Sequence, residues 1–335
     1  MEVIGNGRMV LVEPKDEYPH QQSTDRNWQE SVVIYLFDPE QKCYVFFRIG
    51  HEPNNGPKGT AVIWSNIWVP GHYYKYYEDV PLQPGDRFAN GFASGSKIRY
   101  EYAGHHHWTV QDDDVSADLV MEDWHQPFDF WPGRHNLDEI ATHHQEATGT
   151  ITGTITVKGK TYRIKNGIGH RDHSWGVRRW QAMLTHRWIP AIFGKDFVTH
   201  ALSMLTDDGT LMQFGFVIRD GKFYVPTRTE VGCLVEADGL TNRGGNVIYT
   251  MPSGEKLEIV FWNLVPGGLS LHGGYPCFDP ISAVRCGDRS GFGVMECGNN
   301  TMNGRVEPRQ DILISGYIDN GIFPYQHGTS RIRPG

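Results

Sequence analysis

The chain reads as mainly β, built as two antiparallel barrel or sandwich units, and three observations say so. Short apolar runs recur at close spacing, and most of them end at Gly, Asp-Gly or Pro-containing turns. Almost nowhere is a 3.6-residue apolar period sustained. Aromatic side chains are heavy, with 15 Tyr, 16 Phe and 10 Trp, and these favour strands and the walls of apolar pockets. A length of 335 residues at 39% hydrophobic supplies enough apolar surface for two cores.

In chain order, residues 1–27 are polar and contain Pro and His, and read as an irregular arm wrapping the first domain. Ser31–Phe37 is a strand, Asp38–Lys42 a turn and Cys43–Ile49 the return strand. Pro53–Gly59 is a loop and Ala61–Val69 another apolar strand. His72–Tyr77 holds four tyrosines in six residues, either a strand with phenols on both faces or part of a pocket rim. Lys97–Tyr102 and Leu119–Trp124 read as strands. Gln126–Gly133 is an aromatic loop that acts as a lid or packs between domains, and Asn136–His144 holds one short helix. Thr148–Val157 alternates Ile/Val with Thr, turns at Lys158–Lys160 and returns through Thr161–Lys165.

The second half is a meander. Thr199–Leu205, Leu211–Ile218 and Lys222–Val225 are joined by Asp-Gly turns, Asn246–Thr250 and Lys256–Trp262 form a hairpin, and Gly291–Gly298 is a late Gly-rich strand. The domain boundary is expected at 165/166, giving a first domain of residues 1–165 and a second of 166–335 that opens on the run between Gly167 and Trp180.

That run packs His170, His173, Asp172, Arg171, Arg178, Arg179, Trp175 and Trp180 into fourteen residues. Read as extended chain, Arg171, His173, Trp175 and Val177 point one way, and Asp172, Ser174, Gly176, Arg178 and Trp180 the other. Asp172 and His173 therefore meet in one cavity only if the strand bulges, and Gly167 and Gly169 supply the freedom for an irregular approach. A carboxylate and an imidazole that converge in a ring-lined space hold or give a proton near neutral pH. The arginines bind an anionic group or fix Asp172. The same residues also read as structure, with Asp172 paired to Arg171 or Arg178 at a domain junction and His173 a core histidine.

The motif Gly-x-Gly-x-Arg-Asp-His-Ser-Trp-Gly-x-Arg, preceded by a Thr/Ile hairpin, resembles the signature region of the AttH/CrtC-like superfamily. These are two-domain lipocalin-like proteins that include carotenoid 1,2-hydratase (hydroxyneurosporene synthase). Fungal Diels–Alderases and, more distantly, tocopherol cyclase share the architecture. Asn27–Ser31 and Pro53–Gly56 resemble the N-terminal domain of uncharacterised bacterial relatives. The resemblance covers most of the chain in order, although only the central motif is specific.

It implies two lipocalin-like domains and a cofactor-free protein, with no metal, that holds a hydrophobic small molecule (terpenoid, steroid or aromatic). Carried onto this chain, Asp172, His173 and Arg171 are the catalytic candidates. Trp175, Trp68, Tyr73, Trp131 and Arg178 are the substrate-binding candidates. The reaction implied is that of a lyase, a hydratase or dehydratase, or an isomerase, working by acid/base chemistry. Two rivals stand beside it, a non-catalytic carrier of a hydrophobic ligand and a metal-dependent enzyme.

Other classes are disfavoured. A net charge of −8 without a basic tract argues against nucleic acid. There is no run of eighteen apolar residues and no positive head followed by an apolar stretch at the start, so a cytoplasmic protein without an integral membrane segment is expected. A homodimer is allowed for. Five cysteines without a CxxC read as reduced, buried thiols. His105–His107, His143–His144 with Glu146, His186 and His200 offer imidazoles but no ligand spacing that selects a metal, and HExxH is absent. Glu296 is a reserve carboxylate or an outward strand residue. No Gly-x-Ser-x-Gly elbow and no GxGxxG opening a helix is present.

Overall fold

The computed structural model describes residues 1–6, 10–129, 142–206, 209–235, 241–272 and 275–299. Nearly all of this is antiparallel strand, as the short apolar runs predict, and it falls into two compact units. One comprises residues 9–179, the other residues 1–8 with 180–335.

In the 9–179 unit the hydrogen-bonded order runs His72–Pro81, Thr60–Val69, Cys43–Glu52, Trp28–Asp38, Lys160–Val177, His143–Val157, Val115–Asp123, His106–Asp112, Ile98–Tyr102, Gly91–Ser94 and Arg87–Phe88. The first four are successive hairpins, and the Lys160–Val177 strand inserts next to Trp28–Asp38. The sheet curls round one core that includes Val32, Ile34, Phe47, Ile63, Trp108, Leu119 and Ile151, all fully or nearly buried. The expected irregular arm contains a short strand, Val10–Leu11, and a 3-10 turn, Pro14–Glu17.

In the other unit, Met183–Gly194 lies between Phe197–Thr206 and Arg289–Val294, followed by Tyr275–Cys286, Lys256–His272, Asn242–Thr250 and Arg228–Val235. Glu296–Asn299 pairs with both Met183–Gly194 and Tyr275–Cys286. Its own core includes Ile189, Ala201, Val231, Ile259, Val284 and Met295.

The boundary expected at 165/166 falls inside a continuous strand. Lys160–Val177 keeps its pairing with His143–Val157 as far as Trp175 and with Trp28–Asp38 as far as Val177, so the central motif up to Arg179 belongs to the first unit and the units divide at 179/180. Ladder hydrogen bonds on both sides hold the motif there. Of the expected helix, residues 136–141 lie outside the described residues, whereas His143 and His144 open a strand. The aromatic loop is described only to Asp129, and Trp131 lies outside the described residues.

The strand does bulge, but upstream of the motif. Ile151 pairs with Gly167 and Gly153 with Ile164, so Lys165 and Asn166 face a single partner residue. One extra residue reverses which parity faces the core. Before it, Tyr162 and Ile164 point inward; after it, Gly167, Gly169, Arg171 and His173 do. Gly169 leaves room for other side chains, because a Cβ there would lie 2.8 Å from Ile151 and 2.9 Å from Met121.

Candidate functional site

From Ile168 to Trp175 the central strand pairs residue by residue with both neighbours, so its side chains alternate strictly. Arg171, His173 and Trp175 enter the inner side of the sheet, while His170, Asp172 and Ser174 take the outer side. The convergence of Asp172 and His173 that a bulge between them would give does not occur. The predicted set is divided by the sheet. Trp68 lies in the row Trp68–Tyr44–Phe37–Ile168 and stacks on its cross-strand partner Tyr73 at 5.1 Å, which puts both on the side of Asp172. Arg178 follows the strand end, its backbone N–H donating to Asn27 at 2.9 Å.

On the inner side His173 meets Glu30, which is fully buried on the Trp28–Asp38 strand. Glu30 accepts from His173 Nε2 at 2.9 Å, from His20 Nδ1 at 2.7 Å, from the His20 backbone N–H at 3.1 Å and from Arg87 Nη2 at 2.5 Å. Burial alone would raise the Glu30 carboxyl. The hydrogen bonds from His173 and His20 and the charges of His173 and Arg87 outweigh it and hold the group well below the usual range.

An ionised carboxylate only accepts. Each imidazole must therefore carry its proton on the nitrogen facing Glu30, which leaves His173 Nδ1 and His20 Nε2 as lone pairs when the rings are neutral. Both of these atoms are buried and without a hydrogen-bond partner among the described residues, as are Arg87 Nη1 and Oε1 of Gln145, the cross-strand neighbour of His173. Rings surround the group. Phe92 and Trp175 lie 5.9 and 5.2 Å from His173, and Trp175 is sandwiched between His20 at 3.6 Å and His143 at 4.6 Å. His143 in turn donates to Asp129 at 2.5 Å.

Deeper on the same side, Arg171 is gripped from two directions. It donates to Glu17 at 2.7 and 3.2 Å and to Asp123 at 2.6, 3.0 and 3.3 Å. Burial would lower the guanidinium, but the two carboxylates outweigh it and keep Arg171 firmly charged. Asp123 is 3.4 Å from His106, whose Nδ1 is 2.9 Å from the Tyr100 hydroxyl. His106 is therefore no solvated surface histidine.

The outer side is built from imidazole and carboxylate instead. His170 Nε2 is 2.9 Å from Glu146, and His144 Nε2 is 3.5 Å from Asp172. Burial pushes His170 down to about 3, so it is neutral near pH 7. Burial raises Asp172, but His144, Arg178 and Arg48 outweigh it and the carboxyl is held low. Asp172 is thus ionised here, not a stored proton.

Two inner sets bring metal-capable atoms within 4.8 Å of one another, His20–Glu30–His173 and Glu17–His106–Asp123. In each, a guanidinium already neutralises the carboxylates. Glu30, His20, Arg87, Glu17 and Asp123 were not singled out from the sequence as site residues.

Residues 13–301 match the family model described as Domain of unknown function (DUF7064). A protein named Probable alpha-glucuronidase A from Aspergillus clavatus is 26% identical over 221 residues, 65% of this chain and 22% of that protein. The Aspergillus fumigatus protein of the same name is 26% identical over 163 residues, 48% of this chain and 18% of that protein. The matches thus span about a fifth of those relatives' length. Among solved structures, an AttH protein from Nitrosomonas europaea superposes with TM-score 0.66 at 13% identity, covering 89% of this chain and 98% of that one. Kievitone hydratase from Nectria haematococca gives TM-score 0.58 at 12% identity, covering 89% and 96%. The two-domain lipocalin-like fold of the AttH/CrtC type, expected from the central motif, is the fold found, and a hydratase shares it.

Proposed function

We propose that this chain, which belongs to the DUF7064 family, is a hydro-lyase (a hydratase or dehydratase) or a related isomerase that acts on a hydrophobic small molecule by acid/base chemistry, with His173 moving the proton. One observation carries this reading: a buried imidazole whose tautomer is set by the ionised Glu30 presents an unpartnered Nδ1 beside aromatic faces. In the hydration direction Nδ1–H protonates the alkene. Positive charge builds on carbon, where the Phe92 and Trp175 rings attract it by about 2 kcal/mol when desolvated, and water adds, giving up its proton to the now neutral Nδ1. In elimination the steps reverse: Nδ1–H of the imidazolium protonates the hydroxyl, which leaves as water, and the neutral Nδ1 then takes the proton from the adjacent carbon. Glu30 stabilises the imidazolium in either direction, and Arg87 Nη1 donates to a substrate oxygen. Asp172, on the other side of the sheet, takes no part, and Arg171 positions the interior. The hydratase among the structural neighbours supports the reaction class at the level of fold only.

The test is turnover of a panel of hydrophobic alkenes and the matching alcohols, kievitone included, in H2 18O. His173→Ala and Glu30→Gln are expected to lose about 10²-fold or more, while Asp172→Asn stays within about tenfold. Undiminished 18O incorporation by His173→Ala would overturn the assignment.

A carrier is the second reading, and the parting of Asp172 from His173 by the sheet favours it. A ligand bound stoichiometrically, with no 18O incorporation by wild-type protein, would decide for carriage.

A further inference from the structure

We propose that His186, Cys277 and Glu296, in the unit of residues 180–335, form a three-ligand zinc site. The sheet brings them together around a missing side chain. Gly298 pairs with His186 on one side and Cys277 on the other, so all three share one row, and Glu296 lies two residues back on the same face of the same strand. A Cβ at Gly298 would lie 2.3 Å from the His186 ring and 2.7 Å from the Tyr275 ring. Glycine is what lets the imidazole lie across the strand. A nitrogen of His186, Cys277 Sγ and a Glu296 oxygen all fall within 4.8 Å of one another.

The donor set is specific. Thiolate with imidazole and carboxylate suits zinc and excludes the hard cations that take oxygen alone. Three protein ligands leave a fourth position open. The outer partner is in place as well, because His186 Nδ1 is 2.8 Å from the Tyr275 hydroxyl. That bond orients the ring and frees Nε2 for the metal. Nε2 now meets Glu296 Oε1 in a hydrogen bond, and zinc would replace the shared proton. Ligand atoms at about 2.0–2.3 Å from a tetrahedral ion stand about 3.3–3.8 Å apart, so Glu296 must withdraw. Its side chain is the more exposed of the two, 17% against 7% for His186. Trp180 closes one side, its ring 5.5 Å from Tyr275 and 6.4 Å from His186.

The experiment loads the full chain with Zn²⁺ or Co²⁺ after chelator treatment. About one zinc per chain is expected by elemental analysis, and the Co²⁺ form should show a near-ultraviolet thiolate-to-metal band. Cys277→Ser should abolish the band and His186→Ala should weaken zinc binding more than tenfold. Tyr275→Phe should weaken it about 10–100-fold, whereas Cys286→Ser should leave both readouts unchanged. Should Cys277→Ser fail to fold, the wild-type Co²⁺ titration decides, since the thiolate-to-metal band should saturate at about one Co²⁺ per chain and be lost in His186→Ala. Substoichiometric zinc, a band that survives Cys277→Ser, or no band in the wild-type Co²⁺ form would overturn the proposal.

Discussion

The two sides of the Lys160–Val177 strand carry the same kinds of side chain but neutralise them differently. On the inner side, carboxylates face guanidiniums, Glu17 and Asp123 against Arg171 and Glu30 against Arg87. On the outer side their nearest partners are imidazoles, Glu146 against His170 and Asp172 against His144, with the charges of Arg178 and Arg48 adding to the hold on Asp172. A guanidinium keeps its charge at any pH a protein survives, whereas an imidazole does not. The guanidiniums therefore give the inner network, with its imidazoles His173, His20 and His106, a charge that acid does not remove, whereas the closest outer pairs are held through imidazoles. The difference arises from which parity of the strand turns inward.

The most severe way to break the comparison is Arg171→Met. It strands Glu17 and Asp123 in the interior and should cost about 3–5 kcal/mol in urea unfolding. Asp172→Asn keeps the shape and alters one long contact to His144, and should cost about 1 kcal/mol. If the two losses were equal, the contrast between the sides would be wrong.

Acid sharpens it further. His170 titrates at about 3 when folded and near 6.5 when unfolded. Between those values the unfolded chain binds the extra proton, so stability is intact above the unfolded value. It falls as pH drops, by roughly 1.4 kcal/mol per pH unit for this group. Urea midpoints taken from pH 7 to 4 should fall less steeply for His170→Gln than for wild type, and parallel slopes would count against a neutral His170. The smallest effect is expected from Tyr73→Ala. The residue is 47% exposed, and the loss should stay within about 1 kcal/mol in the same assay.

Much of the fold was legible. The hairpins from Ser31 to Val69 and the Thr148–Lys165 pair were readable because alternation and turn residues are local signals. The AttH/CrtC-like architecture was readable from one motif. The domain boundary was placed too early because a charged run looks like a junction, whereas here Arg171 and His173 are buried by pairing with Glu17, Asp123 and Glu30, residues distant in the chain.

By itself the sequence determined that residues 168–177 are extended and that Asp172 and His173 must face opposite ways wherever the strand runs regularly, since a strand repeats every two residues. Which of the two looks inward was decided only by the tertiary structure. The answer lies in one unpaired residue near Lys165 and Asn166, and its position is fixed by pairing with His143–Val157 and by packing against the core, neither of which a local stretch of sequence encodes.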